Sequence, residues 1–161
     1  MIVVSNTTPL IGLASIQRLD LLAKLFGEVH IPQAVYDEAY LAGRVAGEVK
    51  YPVPAVDWIK VVTVKDRLAV EVLLDELDLG EAETIVLARE LPAEWVLMDE
   101  RKGRRKLAQL GVPKIGTLGI LLKAKQLGLL PTIRLEIETL HQQGFSLSHS
   151  VIDAVLQRAG E

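Results

Sequence analysis

Six acidic residues stand in three close pairs at what read as the ends of structural elements: Asp37 and Glu38, Glu81 and Glu83, Asp99 and Glu100. Carboxylate oxygens drawn from separate segments are the ligands that Mg²⁺ and Mn²⁺ take. An ion held that way activates water near neutral pH and neutralises phosphoryl oxygens, the two requirements of phosphodiester hydrolysis. A plainer role is open to the same side chains. Glu81 and Glu83 open a helix, where negative charge suits the positive end of the helix dipole.

Directly after the third pair comes Arg101-Lys102-Gly103-Arg104-Arg105-Lys106, five positive charges in six residues. From Asp99 to Lys125 the chain has eight Lys and Arg against two acids, while the rest has ten against nineteen. That polarity can hold an anionic polymer beside the acidic pair, although a charge run can equally be a solvated helix face. Other chemistries lack their residues. With no cysteine there is no disulfide, zinc–thiolate site or thiol nucleophile. His30, His141 and His149 stand in no recognisable catalytic spacing. Gly116-Thr117-Leu118-Gly119 is too short for a phosphate-cradling loop, and Thr117 reads there as a helix cap. A phosphoacceptor site would need an acid after the first strand, where Asn6 stands.

The elements that must position these groups alternate. Ile2-Val3-Val4 reads as a strand, with Thr8 capping a helix that carries Pro9 at its first position. A second helix ends at Gly27, Val29-His30-Ile31 is a strand, and Pro32 opens a helix to about Leu41. An irregular connection from Gly43 to Pro54 leads to a strand from Trp58 to Val64 and a helix from Leu68 to Leu77. The spacing then predicts a helix Glu81 to Leu91, a strand Trp95 to Met98, a helix Lys102 to Leu110, a strand Pro113 to Ile115 and a helix Leu118 to Gln126. Helices near Ile133 to Gln142 and Ser148 to Arg158 follow. Strands alternating with helices imply a small parallel sheet flanked by helices, an α/β/α sandwich, with chemistry at the carboxyl ends of the strands.

The 161 residues, half of them hydrophobic and 4% aromatic, suit a single domain with an aliphatic core. No basic residue precedes Arg18, and Ile115 to Leu130 is interrupted by Lys123, Lys125 and Gln126. Neither a signal peptide nor a membrane span is expected, the mature chain is expected to begin at Met1, and a cytoplasmic location follows as the expectation.

Four segments in order, Val3 to Ile11 with Ser5-Asn6-Thr7-Thr8-Pro9, Ile31 to Glu38, Leu79 to Ala88 and Val96 to Arg101, resemble a PIN domain. The Ser-Asn-Thr-x-Pro-Leu-Ile, Gly-Glu-Ala-Glu and Asp-Glu-Arg-Lys-Gly-Arg-Arg segments are similar to those of a prokaryotic PIN-like family related to VapC toxins. The resemblance covers about residues 1 to 125 as a core, with C-terminal helices from about 132 to 158. It implies one or two Mg²⁺ or Mn²⁺ ions and cleavage of single-stranded RNA. By position, Asn6, Glu38, Glu81 and Asp99 are the implied metal and catalytic set, with Glu83 and Glu100 as alternatives, and Thr7 and Thr117 in support. Arg101, Lys102, Arg104, Arg105 and Lys106 would hold RNA. The family pattern has an aspartate where this chain has Asn6, which offers a carbonyl oxygen without negative charge. The resemblance further implies a homodimer and an antitoxin protein partner. The alternative it leaves is a catalytically weak PIN-like module that binds RNA or protein.

Overall fold

A computed structural model describes residues 1–41 and 53–161 of the chain. Among the described residues, five strands form one parallel sheet: β1 (Val3–Ser5), β2 (Val29–Pro32), β3 (Ile59–Val62), β4 (Trp95–Leu97) and β5 (Lys114–Ile115). Their order is β3-β2-β1-β4-β5. In register, Val4 lies beside His30 on one side of β1 and beside Val96 on the other. The chain therefore winds outward from β1 to β3, returns, and winds the other way from β4 to β5. That reversal puts a crevice at the carboxyl ends of β1 and β4, where open α/β sheets bind their ligands.

Residue alternation along the strands makes two cores. Val3 and Leu97 face the helices α1 (Thr7–Ser15), α2 (Asp20–Phe26), α7 (Thr117–Gln126), α8 (Arg134–Gln142) and α9 (His149–Ala159). Val4, Val96 and Met98 face α4 (Arg67–Leu73), α5 (Leu79–Glu90) and α6 (Arg101–Gln109). Side chains of a strand point alternately to opposite faces, so short apolar runs supply both layers of an α/β/α sandwich. The expected fold class is the observed one. No described helix is long and apolar enough to cross a membrane.

Element types agree with the sequence expectation, and boundaries shift for local reasons. The helix expected from Pro32 is α3 (Gln33–Tyr36), which continues as a π-helical turn over Asp37–Leu41. The helix α4 stops at Leu73. The first helix starts at Thr7 rather than at Pro9, and Thr8 does not cap it. The hydroxyls of Thr7 and Thr8 and the amide of Asn6 donate to distant carboxylates instead. Thr117 likewise occupies the first position of α7 and not its cap, which is the extended Gly116, and its hydroxyl goes to Asp99. Of the connection expected from Gly43 to Pro54, residues 43–52 lie outside the described residues.

Candidate active site

Five segments meet at the crevice. Asn6 follows β1 directly and is buried, with its main-chain N–H bonded to Leu97 O at 3.0 Å. Its Nδ2 donates to Glu100 Oε2 at 2.9 Å and lies 3.4 Å from Met98 Sδ. Thr8 donates its hydroxyl to the other oxygen of Glu100. Both oxygens of that carboxylate are thus tied to the first turn of α1. Thr7 donates to Glu38 Oε2 at 2.7 Å. Asp99 accepts from Thr117 N at 2.8 Å and from Thr117 Oγ1 at 2.6 Å, which fixes it to the start of α7.

Small residues let these carboxylates in. A Cβ on Gly80 would fall 2.5 Å from Glu38 Oε1, so Glu38 lies directly against the first turn of α5. A Cβ on Gly116 would fall 2.8 Å from Asp99 Oδ1. At these two positions it is the missing side chain, and not the backbone angle, that lets the carboxylate come this close. Glu81, in the same turn, accepts from Asp78 N at 3.3 Å while Asp78 Oδ1 accepts from Glu81 N at 2.8 Å, a capping box.

The electrostatics show that the acids share one field. Burial, chiefly, and the nearby Asp78 and Glu100 push Glu81 up to about 7. Burial also raises Glu38, against the lowering effect of the Thr7 hydroxyl, with Asp78, Glu100 and Asp37 adding to the rise. Asp99 is raised by burial and by Glu100, against the Thr117 donors and the Arg104 guanidinium. Glu100 acts on all three of the others, so the structure brings Glu38, Glu81, Asp99 and Glu100 into one neighbourhood.

Glu83 is not part of it. At 4% exposure it accepts from Ala34 N at 3.0 Å and pairs with Arg67 Nη1 at 2.8 Å. It joins α5 to the starts of α3 and α4. Two residues apart on a helix, Glu81 and Glu83 point to different sides, and only Glu81 reaches the crevice acids.

The basic run divides in the same way. Arg101 and Arg104 face a groove that contains Asp99, and Arg104 Nη1 donates to Met98 O at 2.8 Å. Lys102, Arg105 and Lys106 line a separate hollow with Asp75 and Glu76, where Lys106 lies 3.2 Å from Glu76. Gly103 packs against Met98, since a Cβ there would fall 2.7 Å from Met98 Sδ.

The family described as PIN domain matches residues 2–161. The chain belongs to the PIN domain family. PIN domains are generally metal-dependent nucleases, which makes this chain a nuclease-type module. No curated protein matches it closely. PIN domains typically use divalent metal ions. The donor set of this PIN domain fits such an ion in kind, because carboxylate and amide oxygens are hard ligands, and Glu100 adds like-charge repulsion to the burial that raises Glu38, Glu81 and Asp99. Among the described residues, no three acidic or histidine side chains stand close enough to hold an ion in their present rotamers. Glu38 is bonded to Thr7, Glu100 to Asn6 and Thr8, and Asp99 to Thr117.

Sequence reasoning missed two participants. Asp78 sits beside Glu81, and the Asp-x-x-Glu spacing of a capping box was the available signal. Thr8 was read as a helix cap, and nothing local shows that its hydroxyl reaches Glu100 across 92 positions of sequence.

Proposed function

We propose that this PIN domain is a Mg²⁺- or Mn²⁺-dependent endoribonuclease that cuts single-stranded RNA, and that it acts as the VapC-like toxin of a prokaryotic toxin–antitoxin pair in the cytoplasm. The observation that carries the reading is the convergence of Glu38, Glu81, Asp99 and Glu100 at the β1–β4 switch point, where burial first, and then the Asp78 and Glu100 carboxylates, lift Glu81 to about 7. Acids that repel one another in the absence of a cation gain from binding one.

When bound, a divalent ion supplies an activated water and charge neutralisation at the scissile phosphate. Glu38, Glu81 and Asp99 would hold it, with Glu100 as a further carboxylate. The residues of the chain provide the positioning. Thr7 orients Glu38, Thr117 orients Asp99, and Thr8 with Asn6 orients Glu100. Arg101 and Arg104 supply positive charge on the groove side, where a phosphate backbone gains from it. An antitoxin protein and a second copy of the chain are the partners this reading entails. The exposed Leu68 and Val72 on α4 offer apolar surface for such contact.

A second reading is favoured by Asn6. Its amide donates to Glu100, so the site holds one carboxylate fewer and one acid is already satisfied. On that reading the chain is a catalytically weak module that binds RNA or a protein. Thermal unfolding with Mn²⁺ titrated from zero to several millimolar separates the two, with wild type, Glu38→Gln and Asn6→Asp compared and followed by RNA cleavage. Binding to the folded state raises stability by RT ln(1 + [L]/Kd). A saturable rise in wild type that Glu38→Gln abolishes, with cleavage of single-stranded RNA, supports the nuclease. A rise and cleavage that appear only in Asn6→Asp refute it in favour of the weak module.

A further inference from the structure

A groove of about 820 Å³ begins at Asp99 and extends between β5, α7 and α9. Arg101, Arg104, Lys114, Lys123 and Arg158 line it against a single acid, Asp99. None of these five cations forms an ion pair among the described residues, whereas Lys106 on the other side of α6 is paired with Glu76. Five cations around one hollow, with only Arg104 offset in part by Asp99, repel one another, and a polyanion relieves that repulsion while releasing its own counterions.

Apolar side chains form the larger part of the remaining lining, beside Gln126, Ser146 and Ser148. Leu122, Phe145, Leu147 and Val155 contribute, and Trp95 lies with its ring 5.6 Å from Lys123 Nζ. A duplex keeps its bases stacked inside and presents phosphates outward, so it has no use for such a floor. A single strand does, because its unstacked bases gain from aromatic and aliphatic surface while cations follow its phosphates.

We propose that this groove is the track for a single-stranded polynucleotide, holding its phosphates on Lys114, Lys123 and Arg158 and its bases toward Trp95, and leading the strand to Asp99. The proposal rests on the nuclease reading of the acidic site and adds the path of the substrate. It moves the binding surface off three of the five cations of the basic run, since Lys102, Arg105 and Lys106 face elsewhere.

The test is fluorescence anisotropy with a labelled uridine homopolymer in EDTA, so that binding is read without cleavage, at several salt concentrations. Wild type is compared with Lys123→Glu/Arg158→Glu and with Lys102→Glu/Arg105→Glu. Losing two phosphate contacts lowers the slope of log K against log salt by about 1.4, at ~0.7 per single-strand phosphate, and weakens low-salt binding by about tenfold or more. The Lys102/Arg105 pair is expected to stay within about twofold of wild type. A second readout does not depend on charge variants. Trp58→Phe leaves Trp95 as the sole tryptophan, and the homopolymer is expected to quench its fluorescence saturably.

Unchanged affinity and slope in Lys123→Glu/Arg158→Glu, or a silent Trp95, overturns the track, as does a loss confined to Lys102→Glu/Arg105→Glu. If wild type still cuts RNA with Mn²⁺ in that case, the nuclease reading stands and the groove is a protein-facing or inert surface. A wild type that neither binds nor cuts the strand overturns both.

Discussion

Replacing Glu81 by Gln removes a charge that the folded state holds at a cost. Glu81 ordinarily titrates near 4.5 and is lifted to about 7 by burial and by the Asp78 and Glu100 carboxylates. The folded chain therefore binds a proton there more tightly than the unfolded chain does. Stability from this group is fully present below about pH 4.5 and is lost as pH rises through about 7. At ~1.4 kcal/mol per pH unit the interval corresponds to at most about 3 kcal/mol, and solvent at the open crevice screens it to about 1–2 kcal/mol. Gln keeps an oxygen for the Asp78 N–H of the capping box and carries no charge. Without divalent ions, Glu81→Gln is expected to match wild type near pH 4.5 and to exceed it by about 1–2 kcal/mol at pH 8. Urea unfolding at a series of pH values in EDTA measures the difference. Saturating Mn²⁺ reverses the order at pH 8, because the ion stabilises the carboxylate form more. A wild-type-minus-variant difference that is flat from pH 4.5 to 8 would refute the argument that burial and the neighbouring carboxylates raise Glu81.

Three further outcomes follow from contacts in the structure. Gly80→Ala places a Cβ where Glu38 Oε1 now lies, so the flexible Glu38 is expected to swing away and Mn²⁺ stabilisation to fall. Intrinsic stability is meanwhile unchanged or raised by up to about 1 kcal/mol, as melting with and without Mn²⁺ would show. Gly103→Ala drives a methyl into the fully buried Met98, and urea unfolding is expected to show a loss of about 1–3 kcal/mol. Arg67→Ala leaves the buried Glu83 with only the Ala34 N–H, an expected loss of about 1–3 kcal/mol. Adding Glu83→Gln is expected to recover part of that loss, as chemical denaturation of both variants would show.

Much of the fold is legible because each local choice agrees with its neighbours. The β-branched Val3-Val4, the apolar Val96-Leu97 and Gly27 after α2 mark strands and a helix end without help from distant residues. Carboxyl strand ends then direct attention to Ser5-Asn6, Asp99-Glu100 and Gly116-Thr117, all of which border the crevice acids. Local rules failed where a side chain had a remote partner. Thr8 and Thr117 look like caps because cap preference is a short-range property, whereas in the fold each lies inside its helix and donates its hydroxyl to a half-buried carboxylate from a distant segment.

The order of the elements, the parallel sheet they imply and the acidic and basic residue types at their ends were determined by the sequence alone, because hydrophobic periodicity and helix-breaking residues act over a few positions. Only the tertiary structure decided that Glu81 and not Glu83 faces the acids, that Asn6 and Thr8 hold Glu100, and that Arg101 and Arg104 part from Lys102, Arg105 and Lys106. Each helical residue turns its side chain by about 100° from the last, so neighbours in a charged run diverge, and the rotation at which a helix docks on the sheet selects which of them meet.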